Sequence, residues 1–456
     1  MTIKEENKKE QKYPAGSLLQ EELDFECEYT DNLPSILKKL NISLAFTSYQ
    51  AGRLMLIRSD GESLDVNFKS FPRPMGLAAT EEGLTLGIFT QIVNFQREDG
   101  LLEMLKQPLQ SIEDDITAPR IKPKENDAEK QELSESKYDE ENSATVVGDA
   151  PEQVEDKAEI KLTPEQLEKQ AEQQAKMKEY QEKLNAPVDE RVDACFITRS
   201  AHYSGMINIH DIDWGDEGLW AVNSSFSCLC TVEPDYSFVP RWKPHFISKL
   251  VAEDRCHLNG MTLRDGKPAY VTTFSKFDKA GMWRAGDKFD GTLMDVETNK
   301  ILLDGLAMPH SPRWYKDRVY FCNSGHGLVC TYQPETGQKE TIAEVPGFTR
   351  GMDFYGPLMF TGLSKVRQAD VTKPAPLAKK YDKTYSGIWL FNLDEKDEVG
   401  HVKEVANIKF TGNVDQIYDV AVIPDCSFPE LIEPTHPRMR NHFCHSELET
   451  ELQPDS

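Results

Sequence analysis

The chain has 456 residues, with 39% in the hydrophobic set and 9% aromatic, enough apolar material for a large core. Its net charge of −25 excludes the basic footprint that binding to a nucleic-acid backbone requires. No run of 18 apolar residues occurs, so no membrane-spanning helix is expected, and the first residues, MTIKEENKKEQKYP, lack the apolar stretch of a secretory signal.

Residues 1–25 read as a polar leader, predicted to be disordered. Residues 26–102 carry strand patterns: Ser43–Thr47, Arg53–Ile57 and Leu64–Phe68, then a further start near Met75. Residues 103–188 break the pattern. Between 101 and 190 there are 24 Asp and Glu against 12 Lys and Arg, so about half of the excess negative charge sits in a fifth of the chain. From Pro119 to Glu159 almost no aromatic occurs, and such a stretch cannot bury enough surface to offset its ordering entropy. Thr163-Pro-Glu-Gln166 is a capping box with proline at the first helical position, predicting one exposed helix over about 163–186. Its apolar stripe (Leu167, Ala171, Ala175, Tyr180, Leu184) is thin: a solvated face, or a short coiled coil by which the acidic insert contacts another protein. Residues 189–430 resume the strand patterns, and 431–456 form a polar tail in which His442, Cys444 and His445 lack metal-site spacing. The nine cysteines form no CxxC pair, as expected of reduced thiols in a cytoplasmic protein.

The strand patterns repeat. A short strand with a polar start leads through a Gly or Asp turn to an aromatic, β-branched strand and then to one or two more. Such starts fall near Met75, His210, Leu258, His310, Arg350 and Tyr418, at spacings that suit four-stranded blades. Tyr418–Ile423 is a first strand with nothing after it, and Ser43–Phe68 supplies three strands lacking a first. Joined, they make one blade from both ends, which closes the ring and removes sheet edges. The expected fold is an all-β, six-bladed β-propeller.

First strands of a propeller line its channel, and their starts face one mouth. Arg73, His210, Asp211, His257, Asn259, His310, Arg313, Arg350 and Asp419 are therefore the candidate ligand-binding residues. Proline runs around Arg73, His310, Arg313 and Arg350 fix the backbone, and Arg with His on an acidic protein points to an anion such as a carboxylate. Asp254-Arg-Cys-His257 could suggest a Cys/His nucleophile pair, but neighbours in a strand face opposite ways.

Three motifs, Asp254-Arg-Cys-His-Leu-Asn-Gly-Met261, Met308-Pro-His-Ser-Pro-Arg-Trp314 and Gly347-Phe-Thr-Arg-Gly351, make the chain resemble an uncharacterised bacterial conserved-hypothetical family. Ser48-Tyr-Gln50, Arg73-Pro-Met-Gly-Leu-Ala78, Asn223 through Ser227-Cys-Leu229 and Gly362-Leu-Ser-Lys365 add to the match, which covers about 43–97 and 191–425. No reaction follows from that resemblance. More distantly, Leu258-Asn-Gly260 resembles the strand start that supplies a Ca²⁺ ligand in gluconolactonase and strictosidine-synthase-like propellers. Here His stands at several equivalent places, and imidazole suits Zn²⁺, Fe²⁺ or Cu²⁺ better than Ca²⁺.

Two readings follow. In one, the propeller binds a small anionic ligand or a protein partner at one channel mouth. In the other, it is a metal-dependent hydrolase or lactonase, with Asn259, His310, His210 and Asp419 holding a divalent metal.

Overall fold

The computed structural model describes residues 24–109, 164–286, 289–366, 375–440 and 443–444. The expected disorder of the leader and of the acidic stretch, and His442 and His445, lie outside them. The chain divides into two units, Gln107–Pro187 and the remainder.

In the smaller unit the helix runs Pro164–Asn185, starting at the proline that the capping box marks. Ala171 and Ala175, two residues of the thin stripe, are exposed.

The larger unit is a six-bladed β-propeller, with each sheet antiparallel in its main body. Blade 1 holds Leu77–Ala79, Gly83–Gly87, Gln91–Arg97 and Ala194–Tyr203. Blade 2 runs from Ile209–Gly215 out to Val239–Trp242, blade 3 from Leu258–Arg264 to Lys300–Leu306, blade 4 from Pro309–Tyr315 to Gln338–Glu344, and blade 5 from Phe348–Tyr355 to Val402–Phe410. Blade 6 takes Val420–Ile423 from the C-terminal part and Ser43–Ser48, Arg53–Ser59 and Leu64–Ser70 from the N-terminal part, as the pattern predicts.

Two strands escape the sequence reading. Cys27–Tyr29 adds to the outer edge of blade 5, and Pro429–Ile432 pairs in parallel with Ala194–Ile197 of blade 1. Something does follow Tyr418–Ile423, then, and the ordered chain continues into the expected polar tail through a short helical turn, Pro437–Arg440. Both extra strands flank blade 6, so the chain ends staple it to each neighbour. The two strands are only three and four residues long, too short for a period of two to stand out from their surroundings.

The core lies between blades. One apolar cluster fills each of the interfaces: Trp220, Val222 and Leu229 meet Leu258, Met261 and Val271 between blades 2 and 3, and Tyr270 and Leu293 meet Val319 and Phe321 between blades 3 and 4. The remaining four interfaces are filled in the same way. Each large side chain buried there contributes about 1.5–3 kcal/mol. The helix Leu33–Leu40 adds Leu33 and Leu37 to the cluster between blades 5 and 6.

Candidate functional site at the channel mouth

Four blades enter the channel through a residue in the left-handed conformation: Arg73 (φ 50°), Asn208 (φ 52°), His257 (φ 53°) and Met308 (φ 49°). Two residues later come Met75, His210, Asn259 and His310, and blades 5 and 6 bring Arg350 and Tyr418 to the corresponding place. These form a mouth ring. The next residue in each blade is Gly76, Asp211, Gly260, Ser311, Gly351 or Asp419, a second layer in which glycine alternates with a polar side chain. The alternation is steric. A Cβ on Gly76 would stand 3.1 Å from Asp211 Cα, one on Gly260 3.1 Å from the Ser311 nitrogen, and one on Gly351 2.9 Å from Asp419 Cα. Only glycine lets neighbouring first strands approach this closely.

The second layer is saturated. Arg313 donates to Asp211 at 2.8 and 3.2 Å and to Asp419 at 3.3 Å, and also to the carbonyls of Met352 (3.0 Å) and Met261 (3.3 Å). Asp211 accepts the Met261 amide at 3.1 Å, and Asp419 accepts the Leu77 amide at 3.1 Å. One guanidinium and two carboxylates thus tie all the blades together across the axis. Burial pushes both carboxylates up in pKa, opposed by Arg313.

The mouth ring is unsaturated. His210, Asn259 and His310 are buried, yet His210 Nδ1, Asn259 Nδ2 and Arg350 Nε have no hydrogen-bond partner among the described residues. Asn259 spends its oxygen on the Thr272 hydroxyl at 2.7 Å, which leaves its amide donor aimed elsewhere. The Arg350 guanidinium lies 3.6 Å over the Tyr418 ring and forms no ion pair among the described residues. Burial lowers the pKa of His210 and His310 well below the ordinary imidazole value, reinforced at His210 by His257, Arg350, His310 and Arg73, and at His310 by Arg350 and His257. Both are therefore neutral at pH 7.

Aromatic rings wall the cup. His257 stacks on Trp283 at 3.9 Å and meets the edge of His210 at 4.6 Å, Phe274 packs against His257 and His310, and Phe348 covers His310. His257 Nδ1 bonds Asp254 Oδ1 at 2.9 Å, and the other Asp254 oxygen accepts from Trp283 Nε1 (2.9 Å) and Arg284 (3.0 Å). His310 Nδ1 contacts the Met308 carbonyl and the Ser324 hydroxyl.

The structure thus brings together His210, His257, Asn259, His310 and Arg350, with Arg73 close enough to act on His210. Asp211, Arg313 and Asp419 lie one layer deeper, committed to one another. The four residues expected as metal ligands are split between the layers, and no group of three or more His, Cys, Asp or Glu among the described residues is placed to hold an ion. Cys256 is buried in the core between blades 2 and 3, and burial pushes its thiol up to about 12, so it is no nucleophile. Tyr418, Trp283, Phe274 and Phe348 are the site residues that sequence reasoning missed. Tyr418 was legible, since it precedes Asp419 as His210 precedes Asp211. Trp283 comes from a loop between strands, where no repeat marks it. A separate open groove of about 610 Å³, lined by Ser200–Tyr203 and Val232–Ser237, has no such convergence of buried polar groups.

Fold and mouth together define a six-bladed β-propeller whose first-strand starts converge in a ring of buried polar residues. The chain belongs to the family described as "Domain of unknown function (DUF4915)", whose model matches residues 31–146 and 152–432. The match enters the acidic insert, which the motif-based resemblance left outside. No curated protein matches the chain. Among solved structures, the "Crystal structure of Nidogen/Laminin Complex" is similar at 8% identity and a TM-score of 0.42, covering 84% of this chain and 99% of that one. No helix among the described residues is long and apolar enough to cross a membrane.

Proposed function

We propose that this propeller binds a small anionic ligand, a carboxylate in the first instance, in the cup at its channel mouth. The observation that carries the reading is the contrast between two adjacent layers: every charged side chain of the deeper one is paired, whereas the mouth ring keeps buried donors on Asn259 and Arg350 without partners. Buried polar groups in native proteins are almost always satisfied, so unsatisfied donors converging in one place mark where a ligand's acceptors belong. Arg350 supplies the charge, Asn259 Nδ2 and His210 supply directed hydrogen bonds, and Arg73, held between Pro72 and Pro74, adds a second cation. The aromatic wall accepts the ligand's apolar part. The solvated helix is where another protein would dock, and the free thiols fit a cytoplasmic setting.

The test is thermal unfolding of the full chain against a panel of mono- and dicarboxylates and inorganic phosphate. At least one carboxylate raises the midpoint in a concentration-dependent way, and Arg350→Gln abolishes the rise. No shift from any anion, or an equal shift in R350Q, would overturn the reading.

A further inference from the structure

We propose that the mouth is also a hydrolytic site for carboxylic esters, in which the Asp254–His257 pair activates water. This rests on the anion-binding reading, since the acid product is the ligand that Arg350 holds. Three observations converge. First, His257 is oriented as a base: Asp254 Oδ1 holds Nδ1 at 2.9 Å, fixing Nδ1 as the protonated nitrogen, and Trp283 and Arg284 hold Asp254 in turn. That leaves Nε2 as the acceptor, with no hydrogen-bond partner among the described residues. Second, the geometry is enforced at a backbone cost. Asp254 (φ 46°) and His257 (φ 53°) are both non-glycine residues in the left-handed region, and such strain persists where the surroundings over-determine it, commonly at functional sites. The stack of His257 on Trp283 at 3.9 Å fixes the ring plane. Third, donors lie beside the base. Asn259 Nδ2 is two residues along the same strand start, and Arg350 acts on His210 and His310, of which His210 meets the His257 ring at 4.6 Å; Asn259 Nδ2 and Arg350 Nε are buried without partners among the described residues. An oriented base next to preorganised donors is the constellation that acyl hydrolysis needs.

The step balances with water as the only co-reactant. His257 Nε2 takes a proton from water as its oxygen bonds to the acyl carbon, and the carbonyl oxygen becomes an oxyanion facing Asn259 Nδ2 and Arg350. Collapse of the tetrahedral intermediate breaks the bond to the alkoxy group, which leaves with the proton from His257. An alcohol and a carboxylic acid result, and the acid ionises against Arg350. Asp254 stabilises the transient imidazolium, which otherwise faces His210, His310, Arg350 and Arg284.

The experiment uses the full chain with p-nitrophenyl acetate, p-nitrophenyl hexanoate and a set of short alkyl esters, with and without EDTA. Wild type should hydrolyse at least one ester faster than buffer. His257→Gln and Asp254→Asn should each lower kcat by about 10²–10³-fold. Asn259→Leu should lower kcat by about 10²-fold with KM little changed. Cooperative unfolding of H257Q at a midpoint close to that of wild type shows that its propeller is intact. A wild-type rate retained in H257Q, a rate abolished by EDTA, or no ester cleaved while carboxylates still bind would overturn the hydrolytic proposal and leave the binding reading standing. Loss of the carboxylate shift in wild type would overturn both.

Discussion

The mouth ring and the layer one residue beneath it are made by the same first strands and are both largely buried, yet they are used in opposite ways. Below, Arg313 sits among Asp211, Asp419 and the backbone of blades 3 and 5. Above, Arg350 lies against the rings of Tyr49 and Tyr418, meets the Tyr418 hydroxyl, and keeps its Nε without a partner among the described residues. A buried arginine says little about function by itself. What separates a structural group from one reserved for a ligand is whether its hydrogen-bonding capacity is already spent.

Removing the lock should give the largest effect. Arg313→Met leaves two buried carboxylates that share no cation, and breaking a buried pair in this way costs about 3–5 kcal/mol. Because every blade is tied to this network, the loss should appear as a lower midpoint for the whole propeller in a denaturant melt. A cost below about 1 kcal/mol would show that the interblade apolar clusters alone set the ring. Asp419→Asn serves as a milder check if R313M does not accumulate, with a smaller loss in the same direction.

Much of this was legible in the sequence, and its limits are physical. The blade count came from periodicity, which any strand lining a channel must show. His210, His310 and Arg350 each stand ten residues before an aromatic of the next strand (Trp220, Tyr320 and Phe360), a spacing visible in the sequence, and all three stand in the mouth ring. The division into two layers was harder to see, because adjacent residues Tyr418–Asp419 and His210–Asp211 look alike as polar pairs. The signal was present in Gly76, Gly260 and Gly351, which alternate around the ring with Asp211, Ser311 and Asp419: glycine in every second blade marks the layer where backbones touch. That Arg313 would pair with two aspartates rather than face the mouth needs the third dimension, since it lies about 100 residues from each. The two stapling strands were invisible, because short edge strands carry no period.

A middle-sized effect should separate the layers by pH. His210 has a depressed pKa in the folded protein, chiefly through burial, so below about pH 6.5 the unfolded chain binds a proton that the folded chain refuses. Its contribution is therefore complete above that pH and is lost as pH falls through it, by up to about 1.4 kcal/mol per pH unit. Asp419, whose carboxyl burial pushes up, acts in the opposite sense, so the histidine must be read as a difference. Unfolding free energies of wild type and His210→Asn from pH 7.5 to 5 should diverge on acidification, with wild type losing more. Parallel curves would mean that His210 is hydrated and titrates freely.

The smallest effect is the most diagnostic, because its sign is opposite to that of the lock. Arg350→Met keeps an unbranched apolar stem out to about the position of Nε and removes the guanidinium beyond it. What disappears is a charge that burial already disfavours and an Nε with no partner. The guanidinium's position over the Tyr418 ring offsets part of that cost, by about 0.5–2 kcal/mol, whereas an unsatisfied buried donor costs about 1–3 kcal/mol and more when charged. The balance places R350M within about 1 kcal/mol of wild type and on the stabilised side, with the carboxylate-induced thermal shift gone. Residues held for ligands generally show this exchange of stability for function. If R350M instead destabilises as R313M does, Arg350 is a second structural plug, the two layers are one, and the case for a ligand at the mouth falls with the distinction.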